Sequence, residues 1–335
     1  MLTYIARRLL ISIPTLIVIS LVIFLLLNLA PNDPMAQVPL TVPPEVKEKM
    51  REALGLGQPL YIQFIKWVVQ LFWVEPQVFI DYMFETNFSE GKQRVISWQT
   101  RSPVMDIVVQ RMPQTLWVVG MSYIVGILIA IPIGIYSAYK QYSVFDQVGT
   151  FVTMIGYSVP PFFTGVFVIV IFSVQLGWLP SIYDTTHVVV DWDTFKTQLK
   201  QMVMPVMVLA LQTTAMINRF MRATMLDNLN QDYVRTARAK GLSEWTIVMI
   251  HVLRNSMIPV ITVIALNVPA IFGGAIITEQ VFKVNGIGHQ LIGAIYANDL
   301  PTVQTITFMF AFLIVAFNLI ADIIYGILDP RIRYD

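Results

Sequence analysis

Six stretches of this chain run for 18 residues or more without a charged side chain. A run of that length crosses the roughly 30 Å hydrocarbon core of a bilayer as one helix. The runs are 9–32, 114–139, 147–183, 201–218, 255–278 and 300–321. Only 13% of the 335 residues are charged and 56% are hydrophobic, with mean hydropathy +0.66. A soluble domain carries about a quarter charged residues. The expectation is an all-α polytopic membrane protein with six transmembrane helices.

The third run is the awkward one. Its 37 residues would make a straight helix of about 55 Å, yet two crossings would leave only about 15 residues each, short of a span. One crossing broken at Ser158-Val159-Pro160-Pro161 fits better, because proline lacks a backbone donor and clashes with the preceding turn. Charge agrees. With the N-terminus inside, the inner segments hold Arg7, Arg8, Lys140, Arg219, Arg222, Arg235, Arg238, Lys240, Arg254, Arg331 and Arg333. The short outer loops hold Lys196, Lys200 and Lys283. This is the positive-inside pattern, from which long loops are exempt. Both termini are therefore expected in the cytoplasm. Arg7 and Arg8 precede a first apolar run too long for a signal peptide, so it reads as a retained helix. The expected division is a first transmembrane helix at 1–30 and an extracytoplasmic loop at 31–113. A five-span core follows at 114–328, with a cytoplasmic loop at 225–257, and then a tail at 329–335.

In the long outer loop, Pro43 and Pro44 suit a helix start, Val46, Met50 and Leu54 share a face, and Gly55 suits its end. Tyr61, Phe64, Ile65, Val68 and Phe72 make a second apolar stripe. These helices read as an amphipathic cap at the outer membrane surface, either a packed lid or a rim for an external partner.

The most distinctive polar stretch is 232–259, DYVRTARAKGLSEWTIVMIHVLRNSMIP. Asp232 or Asn230 suits the cap of a helix running to Lys240, and Gly241 suits its left-handed terminus. Ser243 suits the cap of a second helix through Trp245, Ile247, Val248, Ile250, His251 and Leu253. Chemistry alone leaves open whether this basic hairpin rests on lipid head groups or receives a protein.

The same stretch resembles the cytoplasmic loop of permease subunits of binding-protein-dependent ABC importers. Of the wider superfamily motif only Ala237, Gly241 and Leu253 match; Arg235 and Arg254 stand where that motif has Glu and Pro. The departures are those of the dipeptide/oligopeptide/nickel branch, whose loop is similar to DYVRTARAKGL, HVLRN and PV as they stand here. The segments APNDP at 30–34, ALGL at 53–56, GYSVP at 156–160, GIG at 286–288, DLPTVQ at 299–304 and DPRIR at 329–333 resemble that branch too. Residues 74–100 do not; FETNFSEGKQRVISWQT departs from the branch's compact glycine-containing element.

The resemblance implies the type I ABC importer permease fold in a bacterial cytoplasmic (inner) membrane. It implies a second homologous permease subunit, two ATPase subunits, an extracytoplasmic substrate-binding protein and the lipid bilayer as partners, with no nucleic acid. No cofactor is expected on this chain; ATP and Mg belong to the ATPase subunits, and no Gly-x4-Gly-Lys-Ser/Thr loop occurs here. The implied ATPase-coupling residues are Arg235, Thr236, Ala237, Arg238, Ala239, Lys240, Gly241, Leu242, Ser243, His251, Leu253 and Arg254. Polar residues within spans tend to face a cavity or a partner helix, which makes Tyr157, Ser158, Gln212, Thr213, Thr214, Asn218 and Asn267 translocation-path candidates. Asp322, four residues after Asn318 and three before Tyr325, suits structural contacts. The methionines at 202, 204, 207, 216, 221 and 225 suit ordinary packing or an adaptable pore.

An enzyme is not expected. The chain has no cysteine, no His-Glu-x-x-His and no Gly-x-Ser-x-Gly, and its three histidines are scattered. A passive channel or scaffold would not need the basic hairpin. Peptides are the expected cargo, with nickel chelates, glutathione, opines and oligosaccharides as alternatives within the same branch.

Overall fold

The computed structural model describes residues 2–29, 43–45, 48 and 57–328, and every named element among them is a helix. Helix α1 is Leu2–Leu29, α2 is Leu60–Val69 and α3 is Glu75–Phe84, the last two joined through a wide π turn at Gln70–Val74. Then come α4 (Val104–Tyr139), α5 (Val144–Ser158) and α6 (Pro161–Val168), which continues as a π segment to Gln175. Helix α7 is Trp192–Leu229, α8 is Asp232–Ala239, α9 is Glu244–Thr246, α10 is Leu253–Phe282, α11 is Ile287–Tyr296 and α12 is Leu300–Leu328. Five of these regions are long and apolar enough to span a membrane, and α5 with α6 forms a further candidate pair bent by 107°. The chain divides into two compact units, one of residues 1–9, 114–289 and 313–335, the other of 10–113 and 290–312.

The first unit is organised around α7. This helix is the least apolar span, yet 72% of its most apolar 18-residue stretch is buried, against 11% for the first span. A polar helix in lipid needs its polar positions against protein, and α7 turns these inward, leaving Leu199, Val203 and Met207 on the exposed face. Glycine sets its distance from α4. A Cβ on Gly126 would stand 2.8 Å from the Thr213 Cβ, and one on Gly134 would stand 2.7 Å from the Met221 Cβ. Two glycines eight residues apart thus meet two α7 positions eight residues apart, in the same order. Helices α4 and α7 therefore run parallel.

Parallel α4 and α7 require that the chain cross once between them, and α5 with α6 makes that crossing. At its start Asp146 pairs with Arg222 near the Leu229 end of α7. At its far side Gly165 packs against Val281, near the end of α10. The break lies at Val159 and Pro160, both extended, as the proline pair predicts. Among the described residues, with the bent pair counted once, the candidate spans number six.

The second unit is held by aromatic edges and two polar clamps. Phe24 of α1 meets Phe64 at 5.3 Å between ring centres, while Trp67 and Phe72 both meet Phe308 of α12. Arg94 forks onto Glu75 and Asp106, with its shortest bond to each at 2.8 Å. Burial works against its charge, but these bonds outweigh burial and hold its pKa above the usual arginine value. Fully buried Asp299 accepts from the Ser97 hydroxyl, the Trp98 N–H and the Thr302 hydroxyl.

Several expectations shift. The fourth span is not confined to 201–218. It is a 38-residue helix starting at a capping box in which Asp191 accepts from the Thr194 N–H at 2.8 Å. Lys196 and Lys200 are on that helix rather than in a loop. The second span begins at Val104, inside the stretch read as outer loop, and runs on through Pro113 and Pro132. In α2 Trp67 is buried, Phe64 and Val68 are half-buried and Tyr61 and Ile65 are exposed, as is Phe72 in the π turn; the inward side is the one that sets Phe64 on Phe24 and Trp67 on Phe308. Helix features expected at 46–55 and the tail at 329–335 lie outside the described residues.

Overpacking the α4–α7 contact should cost about 1–3 kcal/mol. Gly134→Val is expected to lower the thermal midpoint of the detergent-solubilised protein. Gly120→Val, whose added carbon meets nothing within 4 Å, should leave it unchanged.

Candidate coupling site

Residues 232–259 form a short helix, a glycine turn and the start of a long helix. In α8, Val234 and Ala237 are buried while Arg235, Thr236, Arg238 and Ala239 are exposed. That spacing of three puts one narrow apolar ridge inward. The ridge belongs to a buried cluster with Ile247, Val248 and Val252 from the next segment, Met221 and Met225 from α7, and Ala138 from α4. The short helix is therefore fixed to the bundle by its inner face, with its basic outer face free of that packing.

The turn is built as the sequence requires. Leu242 N–H donates to the Ala237 carbonyl at 3.3 Å and Gly241 N–H to the Arg238 carbonyl at 2.9 Å. This double closure is a Schellman motif, which needs a left-handed residue at Gly241. Its φ is +76°, and an added Cβ would meet nothing within 4 Å, so the constraint there is backbone rotation rather than space. Ser243 then caps the next segment, accepting from the Thr246 N–H at 3.3 Å. Arg238 closes the turn from outside with two bonds to Glu244, at 2.7 and 3.2 Å. The bond to Glu244 raises the Arg238 pKa above its ordinary value.

Two details differ from the sequence reading. Gln231, not Asp232 or Asn230, holds the cap position of α8, with no side-chain cap bond. Asn230 instead donates to the Leu226 carbonyl at 3.0 Å, closing α7, and Asp232 pairs with Arg235 at 3.4 Å. Nor is there a separate second hairpin helix. From Glu244 the chain passes through a π segment at Ile247–Val252 directly into α10 and on to Phe282. Lys240, Gly241, Leu242, Ser243, His251 and Arg254 are exposed and Leu253 is partly buried. The π segment turns Ile250 outward while Ile247, Val248 and Val252 pack in. Trp245, 73% exposed, stands beside the turn.

The path candidates divide by face. Thr214 donates to the Gly126 carbonyl at 3.3 Å and Thr213 to Leu209 within its own helix. Asn218 is buried on the same side, and Asn267 donates to the Val263 carbonyl at 2.8 Å. Tyr157 and Ser158 are exposed and Gln212 half-buried; Tyr157 stacks under the Arg219 guanidinium at 5.4 Å. Arg219 is one residue past the fourth uncharged run, seven after Gln212, and that helical spacing would have suggested it. Met202, Met204, Met221 and Met225 are all buried and act as packing.

Two buried carboxylates of the first unit escaped the sequence reading. Asp146 takes two bonds from Arg222, at 2.6 and 2.8 Å, and one from the Tyr142 N–H at 2.9 Å. This clamp ties the α4–α5 turn to α7 beside the basic element. At the other end of the same unit, Glu279 accepts from the Thr115 hydroxyl at 2.7 Å and the His289 N–H at 2.9 Å. Gly286 leaves room for it: a Cβ there would stand 2.2 Å from the carboxylate. The signal was a lone acid bounding an apolar run in each case. Asp322 pairs with Arg8 at 3.0 Å, a structural contact as expected.

With this arrangement in hand, the chain can be compared with known proteins. Residues 130–334 match the model of the binding-protein-dependent transport system inner membrane components, and residues 1–119 match its N-terminal companion. The chain belongs to that family. Among its relatives is the oligopeptide transport system permease protein AppB of Bacillus subtilis (strain 168), 36% identical over the full length of both chains. Another is the glutathione transport system permease protein GsiC of Shigella flexneri serotype 5b, 34% identical, again over both full lengths. A solved structure of the MetNI methionine ABC transporter in an inward-facing conformation matches 68% of this chain and 99% of that one, with a TM-score of 0.53 at 17% identity. That likeness is one of fold. As a member of the family, the chain is a multi-pass inner-membrane transport subunit rather than an enzyme, and membership implies binding-protein and ATPase partners.

Asp146 is buried but Arg222 is 27% exposed, so breaking the clamp should cost less than the roughly 3–5 kcal/mol of a fully buried pair. A double-mutant cycle with Asp146→Ala and Arg222→Ala, read by thermal unfolding in detergent, is expected to give a coupling of about 1–3 kcal/mol.

Proposed function

We propose that this chain forms half of the translocation pathway of an ATP-driven peptide importer, beside a second homologous permease subunit. Segment 225–257 couples it to separate ATPase subunits that carry ATP and Mg. The observation that carries this reading is the split character of α8 and its turn. Val234 and Ala237 lock the inner face to the bundle, while Arg235, Lys240, Leu242 and Trp245 stand outside it. A lipid-resting hairpin would not need its turn fixed by a Schellman closure, a serine cap and a bidentate Arg238–Glu244 pair at once. A part that transmits force does, because each constraint removes slack between the contact surface and the spans. ATP-driven closure of the ATPases would then bias a two-state permease pair through differential contact with this element.

Peptide cargo is supported by the names of full-length relatives, which are peptide and glutathione permeases, glutathione itself being a short peptide. Selectivity in such a system rests largely with the external binding protein, so the pathway needs to admit rather than select.

Gly241→Pro removes the turn's N–H donor and forbids a φ of +76°. The full transporter with this change is expected to insert and assemble but to lose ATP hydrolysis stimulated by substrate-loaded binding protein. Normal stimulation would refute the coupling role. In vesicles with the cognate binding protein, uptake of short peptides is expected; uptake of a sugar or a nickel chelate in their place would refute the cargo.

A further inference from the structure

Helices α2 and α3 carry an unusual surface for a connection between two spans. From Leu60 to Phe84 the sequence holds three ionisable acids and bases, Lys66, Glu75 and Asp81, besides its tyrosines. Two of the three are engaged with protein. Glu75 is buried under Arg94. Asp81 accepts from the Phe88 and Ser89 N–H groups at 2.8 and 2.7 Å, and from the Thr86 hydroxyl at 2.6 Å. What remains outside is apolar: Ile65, Val69, Trp73, Phe79, Met83 and Phe84 are between 47% and 68% exposed. Six large apolar side chains over two turns-and-a-half of each helix exceed what a water-facing loop leaves uncovered.

The depth of these helices follows from what they touch within their unit. Phe64 packs on Phe24, five residues, or about 8 Å, inside the Leu29 end of α1. Trp67 and Phe72 pack on Phe308, eight residues, or about 12 Å, inside the Leu300 end of α12. Both landmark residues lie within candidate spans. A helix fixed to two spans at that depth is within the bilayer, not above it. The neighbouring surface of α1 is already a lipid face, since Leu26 and Leu29 are 66% and 72% exposed on a membrane-spanning helix. The one free charge, Lys66, has the four-carbon stem that lets an ammonium reach head groups, and Trp73, Tyr61 and Tyr82 suit the interface.

We propose that the α2–α3 helices are an intramembrane element whose apolar face is covered by lipid of the leaflet that receives the Leu29 end of α1. The segment is then part of the membrane-embedded body, and its face is not a docking rim for a soluble partner. This rests on membership among inner-membrane transport subunits and not on the coupling reading.

The chain has no cysteine, so single-cysteine variants carry one label. Ile65→Cys, Trp73→Cys and Phe79→Cys, each in the full chain in lipid nanodiscs, are labelled with a nitroxide, with Leu26→Cys as the lipid reference and Glu90→Cys as the aqueous one. Val69→Cys, on the same face, replaces any variant that fails to fold. Collision with oxygen is expected to exceed collision with a water-soluble nickel chelate several-fold, at a ratio matching Leu26→Cys. A ratio matching Glu90→Cys would overturn the proposal by placing the face in water. Labels shielded from both quenchers would overturn it by placing the face under protein, whether a second copy or the external binding protein.

Discussion

Lipid gives two apolar helices no reason to prefer each other, since the chains around them are equally apolar. The close approach of α4 and α7 at Gly126 and Gly134 therefore has to come from shape. Glycine lets the α4 backbone reach Thr213 and Met221 directly, close enough for the Thr214 hydroxyl to bond the Gly126 carbonyl. Every later feature of the first unit leans on this contact. It fixes α4 and α7 as parallel, which obliges the broken α5–α6 segment to cross once. It also puts Ala138, Met221 and Met225 where Val234 and Ala237 can pack on them.

The bent crossing and the basic element are then two responses to the same bundle. Asp146 and Arg222 tie the turn before α5 to α7, and the buried ridge of α8 ties the following segment to the same end. An ion pair in this setting is not a large source of stability, because desolvation offsets most of its attraction. Its use is geometric: a forked arginine fixes both distance and angle. At the opposite end Glu279 does the same through Thr115 and His289, with Gly286 supplying the space. The unit is thus pinned at both ends by carboxylates and held in the middle by glycine.

Most of the architecture was legible because lipid imposes length and charge rules that a single sequence displays openly. The spans, the break at Val159-Pro160, the left-handed Gly241 and the Ser243 cap all follow from local chemistry. Boundaries were less legible. Helix α7 continues beyond its uncharged run because Lys196, Lys200, Arg219 and Arg222 cost nothing on a helix that protrudes from the hydrocarbon core. The stripe of α2 turns only partly inward because Phe64 and Trp67 pack on Phe24 and Phe308, partners that no short-range pattern encodes. The clamps at Asp146 and Glu279 join residues 76 and 164 positions apart, and no short-range pattern encodes that. Residues 74–100, where the family resemblance is weakest, are ordered by Asp81 on the Phe88 and Ser89 N–H groups, Arg94 on Glu75 and Asp106, and Asp299 on Ser97 and Trp98.

One consequence follows from the absence of a loop between the glycine turn and the fifth span. From Glu244 to Phe282 the backbone is helical throughout, as α9, the π segment and α10. These 39 residues, at about 1.5 Å each, make a helical rod of about 58 Å. For such a rod, a tilt of about 10° at one end is a displacement of about 10 Å at the other. Under the proposed coupling role, the basic turn and the Glu279 clamp are the two ends of a single lever, and a small rotation imposed at one would be a large displacement at the other.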